Sequence, residues 1–240
     1  MRLLLAAIFL LQAAPAQSEA NRLEAALKRF GDRRYKILQD GQGSGSMTLR
    51  ARIEKDGDGK AAVIEVGLTA MVKDFAVSLK FTEKASLDGC RLISAKMSGR
   101  DPVGDIDCAA SVREATASIT AKNKTHAIEV TERTVGELAP LVMACTTDQK
   151  VGASFKVDVL RMVTQRLEKG REFTCVAKET VEIAGRKFDA FKWEERWVQE
   201  GPKDGAPIPA KVETTYWVSP DGYVLRTLGS QGMEVVLDAK

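Results

Sequence analysis

Residues 47–81, MTLRARIEKDGDGKAAVIEVGLTAMVKDFAVSLKF, decide the fold. Leu49, Ala51 and Ile53 alternate with Thr48, Arg50 and Arg52; Ala62, Ile64, Val66 and Leu68 form a second apolar face, and Phe75, Val77, Leu79 and Phe81 a third. An apolar residue at every second position marks a strand with one face buried. Asp-Gly-Asp-Gly at 56–59 separates the first two runs and reads as a hairpin turn. Counting excludes a calcium loop on Asp56 and Asp58, because the fifth and twelfth positions, which need oxygen ligands, hold Lys60 and Gly67.

Toward the N-terminus the period becomes helical. Leu23, Leu27 and Phe30 fall at i, i+4 and i+7, which predicts a short amphipathic helix over 19–30, stopped by Gly31 and lying across a sheet. Toward the C-terminus the strands resume. Phe155, Val157 and Val159 form one face, and Phe173, Cys175, Ala177, Val181 and Ile183 another, with a turn at Gly185. Phe191 and Trp193 alternate with Lys192, Glu194 and Arg196, and a loop at 199–209 with three prolines leads to the last hairpin. There Ser-Pro-Asp-Gly at 219–222 joins Tyr216, Trp217 and Val218 to Tyr223, Val224 and Leu225, with Pro220 presetting the turn and Gly222 accepting a positive φ. One helix interrupts the strands. Thr134 and Glu137 have capping-box spacing, and Leu138, Leu141, Val142 and Cys145 make one apolar stripe. Pro140 conflicts with a start at Val135, so the expected helix begins with Pro140 in its first position. No fixed-period repeat is present, which excludes solenoids and propellers. The whole reads as one mainly β domain over 17–240.

Residues 1–16 have the order of a secretory signal: Arg2, an apolar run over 3–11, and a small-x-small site at Ala14-Pro15-Ala16. The run is far short of the roughly 20 apolar residues of a membrane span, so cleavage after Ala16 would leave no transmembrane anchor. No cysteine stands near that site to be lipidated. The expected location is the periplasm or the exterior. Of 36 Lys and Arg, loss of Arg2 leaves 35 against 33 Asp and Glu, a near balance that argues against nucleic acid as a partner. Lys28, Arg29, Arg33, Arg34 and Lys36 form the strongest basic cluster, read as a solvated helix end complementing the macrodipole.

Cys90, Cys108, Cys145 and Cys175 all lie in the exported part, where disulfides are the default. Cys145 on the helix stripe and Cys175 on a strand's apolar face are the first candidate pair. The complementary pair meets a difficulty. A tight turn at 101–104 sets Cys108 opposite Met97, seven residues from Cys90, or about 24 Å at about 3.4 Å per residue, against a disulfide limit of about 7 Å between Cα atoms. The spacing fits no zinc site, and no metal or cofactor is implied. His126 shares a strand face with Ile128 and Val130 and reads as a core residue, since no nucleophile motif accompanies it. Glu195 falls between Trp193 and Trp197 on the apolar phase; either burial raises its pKa or the alternation simply ends there. Asn123-Lys124-Thr125 matches a glycosylation acceptor, and Gly41, Gly43 and Gly45 precede a strand, not the helix that a phosphate loop needs.

The stretch 138–237, with the helix containing Pro140, the strands at Phe155 and Phe173, the turn 183–185 and the run Tyr216-Trp217-Val218-Ser219-Pro220-Asp221-Gly222, resembles uncharacterised exported bacterial proteins. Their long, curved antiparallel sheet is similar to the periplasmic lipoprotein-carrier fold. The resemblance implies a half-open β-barrel with an apolar concave face and a short plug helix. It transfers no functional residue. A large unclosed sheet leaves inner apolar positions to be filled by side chains or by a ligand. The chain therefore reads as a non-enzymatic protein holding a lipid or acylated ligand, with Phe75, Val77, Leu79, Phe81, Phe191, Trp193 and Trp217 as candidate lining. The rival readings are an envelope structural or interaction protein, docking through a sheet edge or the loop 199–209, and a hydrolase with two close carboxylates.

Overall fold

A computed structural model describes residues 19–72, 74–197 and 211–239; the expected signal sequence and the loop 199–209 lie outside the described residues. Helix α1 (Glu19–Phe30) leads into β1 (Asp32–Gln39), followed by a meander of β2 (Gln42–Asp56), β3 (Gly59–Val72), β4 (Phe75–Ser86), β5 (Leu92–Asp101), β6 (Gly104–Arg113), β7 (Thr116–Ala121) and β8 (Lys124–Glu129). After β9 (Thr134–Val135) and α2 (Ala139–Thr146), a second meander runs through β10 (Ser154–Arg161), β11 (Arg166–Ile183), β12 (Arg186–Trp197), β13 (Lys211–Val218), β14 (Val224–Gly229) and β15 (Met233–Leu237). β15 pairs antiparallel with β1, Ile37 opposite Val235, so all 15 strands join in one sheet with β8 and β9 as its edges. The pairings are antiparallel except for the short parallel contact of β9 with β10.

The sheet thus has two arms that meet at β1 and β15. Laid flat at about 4.8 Å per strand, its edges would lie about 67 Å apart. The chain from Glu129 to Thr134 can span at most about 18 Å. The sheet must therefore curl until its edges approach, giving the curved, unclosed barrel. Bulges concentrate in one arm, at Val157/Val159, Cys175/Ala177, Glu195/Arg196 and Trp217/Val218, and each adds local bend and twist.

The inner face is packed. Leu23, Ala26, Leu27 and Phe30 of α1 are buried, Gly31 ends the helix with φ +53°, and Arg33 donates to the Phe30 carbonyl at 3.1 Å. Leu49, Ala51, Ala62 and Ile64 from β2 and β3 share this core with Val157, Val159, Phe173 and Trp193 from the other arm. Across the seam, Phe81, Met97, Ala110 and Ile119 pack with Leu160 and Met162. Side chains, not backbone ladder bonds, close the barrel there.

Helix α2 departs from its expected form. No residue of it is exposed, so it carries no single apolar stripe; it is buried on most sides because the arms surround it. Its first residue is Ala139, with Leu138 as N-cap and no side-chain cap from Thr134. Thr134 instead lies in β9 and accepts from the Thr131 N–H at 2.9 Å. The single apolar face expected for 173–183 is also broken. The bulge after Cys175 leaves Phe173 and Cys175 in the main core and sends Val181 and Ile183 to a second cluster with Ala190, Trp217 and Leu225.

The hairpin at 219–222 is as read, with Gly222 at φ +80° and donating to the Ser219 carbonyl at 2.9 Å. It also abuts α2, since a Cβ on Gly222 would come within 2.7 Å of the Cys145 carbonyl oxygen. Gly222→Ala is expected to lower stability by about 1–3 kcal/mol through backbone strain and this collision. Urea unfolding measures it, and an unchanged midpoint would show that the turn does not brace the helix.

Candidate functional site

The segment that crosses between the arms, 130–139, is tied to both by polar groups. Thr131 donates to Asp158 Oδ2 at 2.7 Å, and Asp158 Oδ1 accepts from the Gly170 N–H at 2.8 Å. Glu137 accepts from the Met162 N–H at 2.6 Å and from Arg161 at 3.4 Å. From the other arm, the fully buried Glu83 on β4 accepts from the Leu138 N–H at 2.8 Å and the Ala139 N–H at 3.0 Å. A strand carboxylate thus supplies the cap that α2 lacks in its own sequence. Burial pushes the Glu83 carboxyl up to about 7, with the Leu138 N–H opposing the shift and Glu137 adding to it. Sequence reasoning missed this group, yet it left a signal: Glu83 occupies the apolar phase of β4, between Phe81 and Ala85.

A second buried network lines the other arm. Arg171 donates to both Glu168 and Glu195, Arg161 donates to Glu168 at 2.7 Å, and the Tyr216 hydroxyl donates to Glu195 Oε2 at 2.8 Å. The Arg171 guanidinium lies 5.0 Å from the centre of the Trp197 ring. Glu195 is only 4% exposed, so the alternation does not end before it: the strand keeps its phase and the carboxylate is ion-paired inside. Burial, then the neighbouring Glu195, raises the Tyr216 hydroxyl well above its ordinary value. Glu168 and Glu195 form the close carboxylate pair that a hydrolase would need, but Arg171 sits between them.

The candidate lining residues scatter. Phe75 is 54% exposed at the β3–β4 tip, Leu79 and Phe191 are half-buried, and Val77, Phe81 and Trp193 are buried in packed core. Trp193 donates its indole N–H to Gln149 at 3.1 Å, and Trp217 belongs to the second cluster. None of the seven borders either of two clefts that lie at opposite ends of the strands. One, of about 470 Å³, opens beside both helices, where Leu23, Leu87, Cys90, Met143, Thr147 and Lys150 line it. The other, of about 380 Å³, opens at the seam. Ile106, Cys108 and Ala121 form its apolar floor, Val103 and Val163 its mouth, and Lys122, Lys124 and His126 one flank. His126 is exposed, not a core residue, because β8 is an edge strand with nothing paired on its far side.

The cysteines form no disulfide. Cys145 and Cys175 are both buried in the main core but remain thiols; the bulge beside Cys175 aims its sulfur at the Ala177 carbonyl, 3.9 Å away. Burial raises the Cys145 thiol far above its usual range. Cys108 does face Met97 across the tight turn at 101–104, and Cys90 and Cys108 occupy separate clusters, which rules out their pairing as the spacing indicated. Among the described residues no side-chain group is arranged to hold a metal, and no helix is long and apolar enough to cross a membrane.

The chain matches no known protein family and no curated protein. Among solved structures it is similar to the β-barrel-like protein of domain of unknown function DUF1849 from Brucella abortus, at a TM-score of 0.53 and 11% identity, over 86% of this chain and 94% of that one. The likeness shows a common barrel-like fold and nothing finer. A Bacteroides fragilis protein described as exported, with a YmcC-like fold, matches over 86% of this chain and 93% of its own, at 11% identity and a TM-score of 0.34, too low to establish a shared fold.

Arg171→Met would remove the more deeply buried of the two guanidiniums that Glu168 and Glu195 share, leaving Arg161 at 2.7 Å from Glu168 and 4.0 Å from Glu195. Removing one partner of such a group destabilises by about 3–5 kcal/mol. Chemical denaturation should show a loss of that size, whereas one below about 1 kcal/mol would mean that the carboxylates find other partners.

Proposed function

We propose that the chain is an exported, non-enzymatic binding protein that holds an amphiphile with an acyl chain, a lipid or the lipid of an acylated protein, in the cleft at the open seam. The observation that carries this reading is the seam. The curled sheet stops short of closure, and the gap holds a cleft of about 380 Å³ whose floor is apolar and whose mouth exposes Val103 at 90% and Val163 at 53%. A volume of this order suits a small ligand. Lys122 and Lys124 supply positive charge for an anionic head; of the three lining acids, Asp101 is engaged by the Val103 and Gly104 N–H groups and Asp105 by Arg100, and Asp107 is the third. The concave face expected to carry the ligand is filled by α1, α2 and core side chains, which moves the binding reading to the seam. Export rests on residues 1–16. The non-enzymatic reading is supported by the engagement of Glu168 and Glu195 with Arg171, away from both clefts.

A second reading, docking to an envelope protein, is favoured by one observation: β8 is a free sheet edge whose residues are exposed except for half-buried Ile128. Such an edge accepts an added strand.

Native mass spectrometry of protein purified from its own envelope, with uptake of a fluorescent fatty acid, tests the first reading. Binding should fall at least about tenfold in a Val103→Asp, Val163→Asp double variant that keeps its circular dichroism, because charging the mouth makes entry of an apolar chain unfavourable. Neither co-purified lipid nor uptake in the parent protein would overturn it.

A further inference from the structure

Glu83, Gly136 and the start of α2 form a fitted catch between the arms. The carboxylate has no exposure, and both of its oxygens are engaged by consecutive backbone N–H groups of the helix start. Gly136 makes room for it: a Cβ there would fall 2.2 Å from the carboxylate. A buried carboxylate normally has a cation beside it. Here the charged group acting on it is another acid, Glu137, itself held by Arg161 and the Met162 N–H. Across the ladder Glu83 faces Ile64 and Ala95; along β4 its same-face neighbours are Phe81 and Ala85; the first turn of α2 carries no acidic residue. Among the described residues, ionised Glu83 is therefore met by two N–H groups and the positive helix end, against the charge of Glu137.

We propose that this catch is a proton-sensitive latch on the plug helix: α2 is held most firmly when Glu83 carries a proton and loosens as pH rises toward neutrality. Loosening α2 would widen the cleft beside the helices, since Met143, Thr146 and Thr147 of and after α2 form one wall of it. The direction follows from linkage. Docked, Glu83 takes up its proton near pH 7; undocked and in water, it does so near the ordinary 4.5. Between these values the docked state binds more protons, so docking strengthens as pH falls through that window and weakens as pH rises toward 7. The shift corresponds to a change in the docking equilibrium on the order of 100-fold across the window. Protonation leaves a carbonyl oxygen that still accepts from one N–H, so the cap is kept while the buried charge is removed.

This does not rest on the ligand reading, and the test needs no ligand. Amide hydrogen exchange over 139–146 is measured in the full chain at about pH 5.5 and about pH 8, with rates corrected for the intrinsic effect of pH. Protection of α2 should fall by tenfold or more at the higher pH in the parent protein, stay level in Glu83→Gln, and still fall in Glu137→Gln. If Glu83→Gln does not fold, ¹³C-carboxyl titration of the parent protein serves, with one glutamate expected to titrate near neutrality. Equal protection at both pH values, the same fall in Glu83→Gln, or no such glutamate would overturn the latch.

Discussion

Four residues, 130–133, join the two edge strands of a 15-stranded sheet, and the rest of the architecture answers to that short tether. A flat sheet would tear it, so the arms curl toward each other, and their apolar faces meet before the edges can pair. What forms is a barrel closed by side-chain packing and by one polar crossing segment. The bulges in β10–β13 let that arm bend, and the same bulges redirect the side chains beyond them, creating the second cluster around Trp217. Both helices end up inside this curl or across it, and the space that remains is at the two ends of the strands.

Ionisable groups in the interior follow from the same closure. Glu83, Glu137, Asp158, Glu168 and Glu195 stand where arms and crossing segment meet, and each accepts from a backbone N–H, a hydroxyl or a guanidinium. Taking a carboxylate out of water costs several kcal/mol unless such partners are provided. An apolar contact tolerates sliding and these directional contacts do not, so they hold α2 and the crossing segment in one position. Glu168 and Glu195 have a cation between them. Among the described residues Glu83 has no cation beside it, and burial raises its carboxyl to about 7.

Local chemistry was readable where one or two turns of chain decide it. The turn at 101–104, with Asp101 accepting from the Val103 and Gly104 N–H groups, sets Met97 against Cys108 as its length requires. Helix α1 has the limits that Leu23, Leu27, Phe30 and Gly31 imply. The reading failed where a contact from far along the chain intervenes. Thr134 and Glu137 have the spacing of a capping box, but Thr131 and Met162 claim them first, and Glu83, 55 residues before Leu138, caps the helix. The face through Phe173 and Val181 was broken by a bulge between Cys175 and Ala177, where the pairing with β12 shifts register. The candidate site was less legible than the fold. The seven proposed lining residues share a strand pattern but not a cavity, because periodicity gives a face and says nothing of what covers it.

The sequence by itself determined the alternation, the hairpin turns and the N-terminal helix, since period-two patterning and turn chemistry act over a few residues and need no distant partner. It also placed charged residues on apolar phases, at Glu83 and Glu195, without saying how they are satisfied. Only the tertiary structure decided that α2 is wrapped by both arms, that the thiols stay apart and that clefts open beside the helices and at the seam. Those outcomes are set by the short tether between edge strands and by hydrogen bonds spanning tens of residues, quantities that no local window of sequence contains.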